Sequence, residues 1–138
     1  MIKNYIYISA VSFVVLLAVI YGFWVVSPFK TKDIREDQAK VTDVANIKNA
    51  ITNYYRTYKK LPDQLVDLHS TNPTLPINDS STNAPYAYSI TGAVNYSICS
   101  DFQTDSSESS GPSYNYYAAY VTLNHPKGHY CYSFDATR

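Results

Sequence analysis

Residues 32–62 read KDIREDQAKVTDVANIKNAITNYYRTYKKLP, and no Gly or Pro interrupts them before Pro62. Apolar or aromatic residues recur at Ile34, Val41, Val44, Ile47, Ile51, Tyr54, Tyr55 and Tyr58. Steps of three and four place these on one stripe of an α-helix. Thr31 is the expected N-cap, and Asp33, Glu36 and Asp37 suit the positive end of the helix dipole. Lys59 and Lys60 suit the negative end, and Leu61-Pro62 stops the helix. The stripe strengthens from Val44 onward. Before it, Ile34 and Val41 are the large apolar residues in a charged stretch. The expectation is a helix over 31–61 that protrudes first and packs second, as a juxtamembrane spacer running into a core helix. A filament-forming stalk is the alternative.

Towards the N-terminus, Tyr5–Val26 runs for 22 residues without a charge. As a helix it would rise roughly 33 Å, enough for a bilayer core. Tyr5, Tyr7, Tyr21 and Trp24 sit towards its ends, where amphipathic aromatics favour the membrane interface. Val26-Ser27-Pro28 makes a poor signal-peptide cleavage site. Residues 1–30 are therefore expected to be a transmembrane anchor, with residues 5–26 in contact with the lipid bilayer. Lys and Arg counts favour a C-terminal body inside the cell. The cysteines and the resemblance given below favour outside, which is the orientation adopted.

Towards the C-terminus, residues 62–138 form a small head. Leu65 and Leu68 suit a short helical turn packed on the stalk, and 69–83 is polar and irregular. Strands are expected at Tyr86–Ile90, Val94–Phe102, Tyr116–Leu123 and Gly128–Phe134, as an antiparallel meander with one face on the helix. Thr91-Gly92-Ala93 and Pro126-Lys127-Gly128 mark turns. Alternation puts Tyr86, Tyr88 and Ile90 on the buried side, with Val94, Tyr96, Ile98, Phe102, Tyr130, Tyr132 and Phe134. Fifteen tyrosines supply this core and its rim. Tyr114, Tyr116 and Tyr117 flank a polar loop and are the expected exposed interaction surface.

Cys99 and Cys131 fall on the opposite face of their strands. They can pair if the strands approach, closing a loop of about 32 residues worth roughly 3–4 kcal/mol in the chain-entropy model. A disulfide favours an oxidising compartment. A zinc site with His125 and His129 has spacing unlike common motifs, and no metal is expected. A thiol redox role would prefer Cys-x-x-Cys, which is absent.

Net charge is zero, from 11 basic and 11 acidic residues, so no global field draws in nucleic acid. The charge is divided, however: residues 30–60 carry a net +4 and residues 61–126 a net −6. Stalk and head should attract. No nucleophile elbow, phosphate loop or dinucleotide fingerprint occurs, so neither an enzyme nor a cofactor is expected. Asp101, Asp105 and Glu108 read as a solvated acidic loop rather than a Ca²⁺ site. Asn78-Asp79-Ser80 and Asn95-Tyr96-Ser97 match the glycosylation acceptor pattern.

Over residues 33–135 the chain resembles type IV pilins and the pseudopilins of type II secretion. The similar run is Lys40, Thr42-Asp43-Val44, Ile47, Ala50-Ile51, Tyr54-Tyr55, Leu61-Pro62, Leu65 and Leu68. Asn83-Ala84-Pro85-Tyr86-Ala87-Tyr88 continues it, then Tyr96, Cys99 and Phe102, and finally Gly128, Cys131 and Tyr132. The prepilin leader is missing: Gly22-Phe23 lies at the far end of the apolar run, and no acid precedes Asp33. The resemblance implies an α+β fold with a long N-terminal helix on a small antiparallel sheet, displayed outside the cell. It implies a structural or interaction protein of a bacterial-type envelope, with homo-oligomer or envelope-protein contacts through the stalk. A minor pilin or pseudopilin subunit and a Tyr-rich glycan- or peptide-binding module are the alternatives.

Overall fold

The computed structural model describes residues 2–25, 28–109 and 123–138. They fall into two compact units, 1–32 and 33–138. In the first, helix α1 spans Ile2–Val25. Its described large apolar side chains from Val11 to Ile20 are all at least half exposed.

The transmembrane anchor expected at residues 5–26 is corrected here: among the described residues no helix is long and apolar enough to cross a membrane.

Helix α2 spans Pro28–Tyr58. It starts before the expected cap, so Thr31 lies inside the helix. Pro28 takes its first position, where a missing N–H costs nothing and φ is already near the helical value. At the other end Lys59 has φ 57° and donates its N–H to the Tyr55 carbonyl at 2.8 Å. This is the left-handed helix cap usually made by Gly. Leu61 and Pro62 are buried directly after it.

The head sheet has three antiparallel strands in the order β1 (Ala87–Ile90), β2 (Asn95–Phe102) and β3 (Gly128–Asp135). Tyr88 pairs with Ile98, and Ile98 with Tyr132. Cys99 stands between Ala87 and Cys131. Thr91 and Gly92 both donate to the Asn95 carbonyl, closing the first turn. Gly128 enters β3 with φ +101°, a conformation that excludes most side chains. The expected strand Tyr116–Leu123 lies outside the described residues except for Leu123, which is in no strand.

One face of β2 carries Tyr96, Ile98 and Phe102, all buried. They meet Val41, Val44, Ile47 and Ile51 of α2, with Leu65 and Leu68 of a 3₁₀ turn at Leu65–Ser70. Tyr96 lies between Tyr88 (ring centroids 5.9 Å apart) and Phe134 (5.6 Å). Ile90, expected on the buried side, is 49% exposed, because β1 ends there and the chain turns away.

Helix α2 also departs from the expectation that its charged half protrudes. Asp37 and Lys40 are 2% and 3% exposed. They continue the Val41–Val44–Ile51 face at helical spacing, so the buried stripe begins a full turn earlier than apolar residues alone mark it.

Candidate functional site

Three groups of polar residues in the 33–138 unit are candidates, and each is placed by the helix or the sheet.

The first lies where α2 meets the head. The Asp37 carboxylate accepts the backbone N–H of Gln103 (3.0 Å to each oxygen), the N–H of Thr104 (2.7 Å) and its hydroxyl (2.7 Å). One turn on, Lys40 Nζ donates to the Asp101 carbonyl at 2.7 Å and lies 3.4 Å from Asp79. Lys40 and Asp37 are 3.9 Å apart. The Tyr86 hydroxyl donates to Asp43 at 2.9 Å. Burial raises the Asp43 carboxyl, the Tyr86 hydroxyl lowers it in part, and the Asp79 charge raises it further; the net direction is up. Burial also acts upward on Asp79, but the hydroxyl and N–H of Ser81 and the Lys40 charge outweigh it, and this carboxyl sits below the usual range. Tyr86 is driven well above the ordinary phenol range by burial and then by the Asp43 charge. Each charge is matched by donors or by an opposite charge, which is the condition for burying it. The cluster fastens helix to sheet. It offers no free nucleophile or base to a ligand.

The second group is on the sheet's open face. Cys99 and Cys131 form a disulfide with Cα atoms 4.0 Å apart. They are direct cross-strand neighbours, and Cys131 is exposed. Two residues before Cys131, His129 faces its own cross-strand partner Asp101. Nδ1 of His129 lies 3.0 Å from Asp101 Oδ1, and Nε2 lies 3.7 Å from Cys131 Sγ. A carboxylate only accepts, so the Nδ1 proton points to Asp101 and Nε2 is turned to sulfur. Cys99, His129 and Cys131 place their sulfur and nitrogen atoms within 4.8 Å of one another. With both sulfurs in the disulfide there is no thiolate to hold a metal, and the chemistry of the group is that of sulfur. His125 does not join it: it is buried and stacked on Phe102, ring centroids 3.8 Å apart. Asp101 and Asp105 do not converge either. Asp101 faces His129, while Asp105 accepts the Ser107 N–H at 2.9 Å.

The third is a groove between α2 and the 71–76 loop, lined by Asn46, Asn49, Asn53, Thr71, Asn72 and Thr74 together with the apolar Ala50, Leu75 and Pro76. Its wall mixes amides and hydroxyls with apolar side chains and carries no charge.

Tyr114, Tyr116 and Tyr117 lie outside the described residues. Sequence reasoning missed Asp37, Lys40 and Asp79 as a set because their spacing along the chain is long. It also missed the His129–Asp101 pair. The signal for the pair was present: once Cys99 and Cys131 are set opposite each other, antiparallel pairing places residue 101 opposite residue 129.

No protein-family model matches the chain, and neither a curated protein nor a solved structure does.

Proposed function

We propose that this chain is a structural or interaction protein of an oxidising, extracytoplasmic compartment, presenting a pseudopilin-like head on helix α2 and associating with further copies through its N-terminal helix. The observation that carries this reading is the exposed apolar surface of α1. Phe13 and Val14 are both 64% exposed and Leu16 is 60% exposed, within a run of similar side chains. A contiguous apolar surface of this kind marks an interaction site, and the same helix from a second copy supplies a matching surface. The Cys99–Cys131 disulfide supports the compartment, since such bonds persist outside the reducing cytosol. The resemblance of 33–135 to pseudopilins supports the envelope setting.

A photo-reactive residue at Val15 of the purified chain tests the association. A covalent dimer is the expected product, and its absence at micromolar protein would overturn the reading. A topology reporter fused after Arg138 tests the compartment, with cytoplasmic signal as the contrary result. A minor pilin or pseudopilin subunit is separated by mature N-terminal sequencing, because an intact Met1 excludes peptidase cleavage.

The amide-lined groove favours a second reading, a glycan- or peptide-binding module. A glycan and peptide screen that raises the melting temperature of the native chain, but not of Asn49→Leu, would support it. No shift with any ligand would set it aside.

A further inference from the structure

Of the polar groups in the head, the one on the open face of the sheet is not needed to hold the fold together through its histidine. His129 and Asp101 have side chains 62% and 81% exposed, where an ion pair contributes little to stability. What the pair does is fix the imidazole, with one nitrogen bound by the carboxylate and the other turned to Cys131 sulfur. A carboxylate, an imidazole and a sulfur stand in line on two adjacent strands.

Ala87, Cys99 and Cys131 form one row across the three strands. Cys131 is exposed, and Cys99 is half-buried beside Ala87, which is exposed and ends at a methyl group. Exchange requires a thiolate to enter opposite the sulfur that leaves. Attack on Cys99 makes Cys131 the leaving sulfur, the one beside His129. The imidazole therefore selects the direction of reaction.

We propose that the Cys99–Cys131 disulfide is a thiol–disulfide exchange site for dithiol peptides or proteins, with Cys99 as the sulfur attacked and His129, oriented by Asp101, as the catalytic group on the leaving Cys131. A substrate thiolate forms a bond to Cys99 Sγ. The Cys99–Cys131 bond breaks, and its electron pair departs with Cys131 as a thiolate. The His129 imidazolium donates a hydrogen bond and then its Nε2 proton to that thiolate. The substrate's second thiolate attacks its own sulfur in the mixed disulfide and releases Cys99 as a thiolate, which takes a proton from water. The substrate dithiol is oxidised to a disulfide, and the protein disulfide is reduced to two thiols. Among the described residues two other titratable groups share this face. Asp101 holds the ring; Asp135 lies two residue pairs beyond Cys131 on β3, held by the Thr137 N–H and hydroxyl; β1 contributes Ala87 and Ser89, which carry no charge.

The test is reduction of the oxidised full chain by dithiothreitol and by glutathione between pH 6 and 9, with EDTA present. Native protein is compared with His129→Phe, Asp101→Asn, Ala87→Ile and Ile47→Ala. His129→Phe is expected to slow reduction roughly tenfold at pH 6, the scale on which imidazolium pairing activates a cysteine. The deficit should close towards pH 9, where a thiolate leaves without a proton. Asp101→Asn should show a smaller deficit, and Ala87→Ile should slow reduction several-fold at every pH. Ile47→Ala lowers overall stability far from the disulfide and should leave the rate unchanged. Glutathione quenched early should be found on Cys99, with Cys131 alkylated. Equal rates for His129→Phe and native protein at pH 6 would overturn the proposal. So would glutathione on Cys131, or a rate that rises with Ile47→Ala, which would mean reduction through the unfolded chain.

Discussion

Asp37→Asn changes one atom and no volume, yet it should be among the most damaging substitutions in the head. The native carboxylate is buried, and its Oδ2 alone accepts the Gln103 N–H, the Thr104 N–H and the Thr104 hydroxyl, at 3.0, 2.7 and 2.7 Å. The better orientation of an Asn amide keeps its oxygen at that position. The amide nitrogen then replaces Oδ1, and it meets the Gln103 N–H and the Lys40 ammonium, both donors. Three charge-assisted bonds become neutral ones, and each such change costs about 0.5–1 kcal/mol. Lys40 keeps Asp79 and the Asp101 carbonyl but loses one anionic neighbour. The sum is about 2–4 kcal/mol. At roughly 4 °C per kcal/mol for a domain of this size, the midpoint falls by about 10–15 °C. Urea unfolding of the full chain, followed by tyrosine near-ultraviolet dichroism, measures it. Asp63→Asn, at an exposed position with the same change of charge, is the control and should stay within about 0.5 kcal/mol. If Asp37→Asn lies within 1 kcal/mol of the native protein, the carboxylate does not fasten α2 to the 103–104 segment as argued.

The tyrosine hydroxyls divide into bonded and unbonded. Tyr96 is fully buried and its hydroxyl lacks a partner among the described residues, so Tyr96→Phe should hold or raise stability by about 1 kcal/mol, whereas Tyr86→Phe, which strips Asp43 of its donor, should lower it by about 1–2 kcal/mol. Burial, and then the Asp63 and Asp67 charges, push the Tyr88 phenol up to about 12, and burial raises Tyr86, Tyr96 and Tyr132 as well. The unfolded chain releases these protons from about pH 10 and the folded one later, so stability is complete below pH 10 and falls as pH rises beyond it. Phenolate absorbance from these four tyrosines should appear in a late phase that coincides with unfolding. Reducing the disulfide frees a loop of sequence separation 32 and should cost about 3–4 kcal/mol, read as a lower urea midpoint.

The sheet was legible because period-2 alternation is a strong signal on a strand with one buried face. Tyr96, Ile98 and Phe102 on one side and Cys99 on the other are read directly from β2. The apolar part of α2 was legible for the same reason at period 3.6. What sequence reading could not supply was the role of Asp37 and Lys40. Charged residues are ordinarily solvated, and nothing local distinguishes these two from Asp33 or Lys48. Their partners lie 67 and 61 residues away, at Thr104 and Asp101, and become visible only when the sheet is laid on the helix. The start of α2 was misjudged because Thr31 followed by acids looks like a cap. Pro28 is equally good at a first position, and it comes earlier. The His129–Asp101 pair follows from a register that the cysteines already implied.

The division of charge between a basic stalk and an acidic head concentrates physically at Lys40, where a helix cation meets Asp79 of the head. Its use is registration more than attraction. The apolar face of α2 repeats at Val41, Val44, Ile47 and Ile51, so sliding the helix by one turn, ~5.4 Å, would present a similar surface to the sheet. That slip would carry Asp37 away from Gln103 and Thr104, Lys40 from Asp79, and Asp43 from Tyr86, leaving buried charges without partners. Breaking such a pairing costs ~3–5 kcal/mol, whereas apolar replacement of a whole set is often neutral or stabilising by ~1–4 kcal/mol. The whole-set exchange is not neutral here, because the Gln103 and Thr104 N–H groups lose their acceptor with Asp37. Replacing Asp37, Lys40 and Asp79 together by Leu, Met and Leu should lower stability by about 2–4 kcal/mol. It should also multiply the amide cross-peaks of α2 in a ¹⁵N–¹H spectrum, as helices of different register coexist. A single sharp set of cross-peaks, with native contacts between Val44 and Ile98, would show that apolar packing alone sets the register.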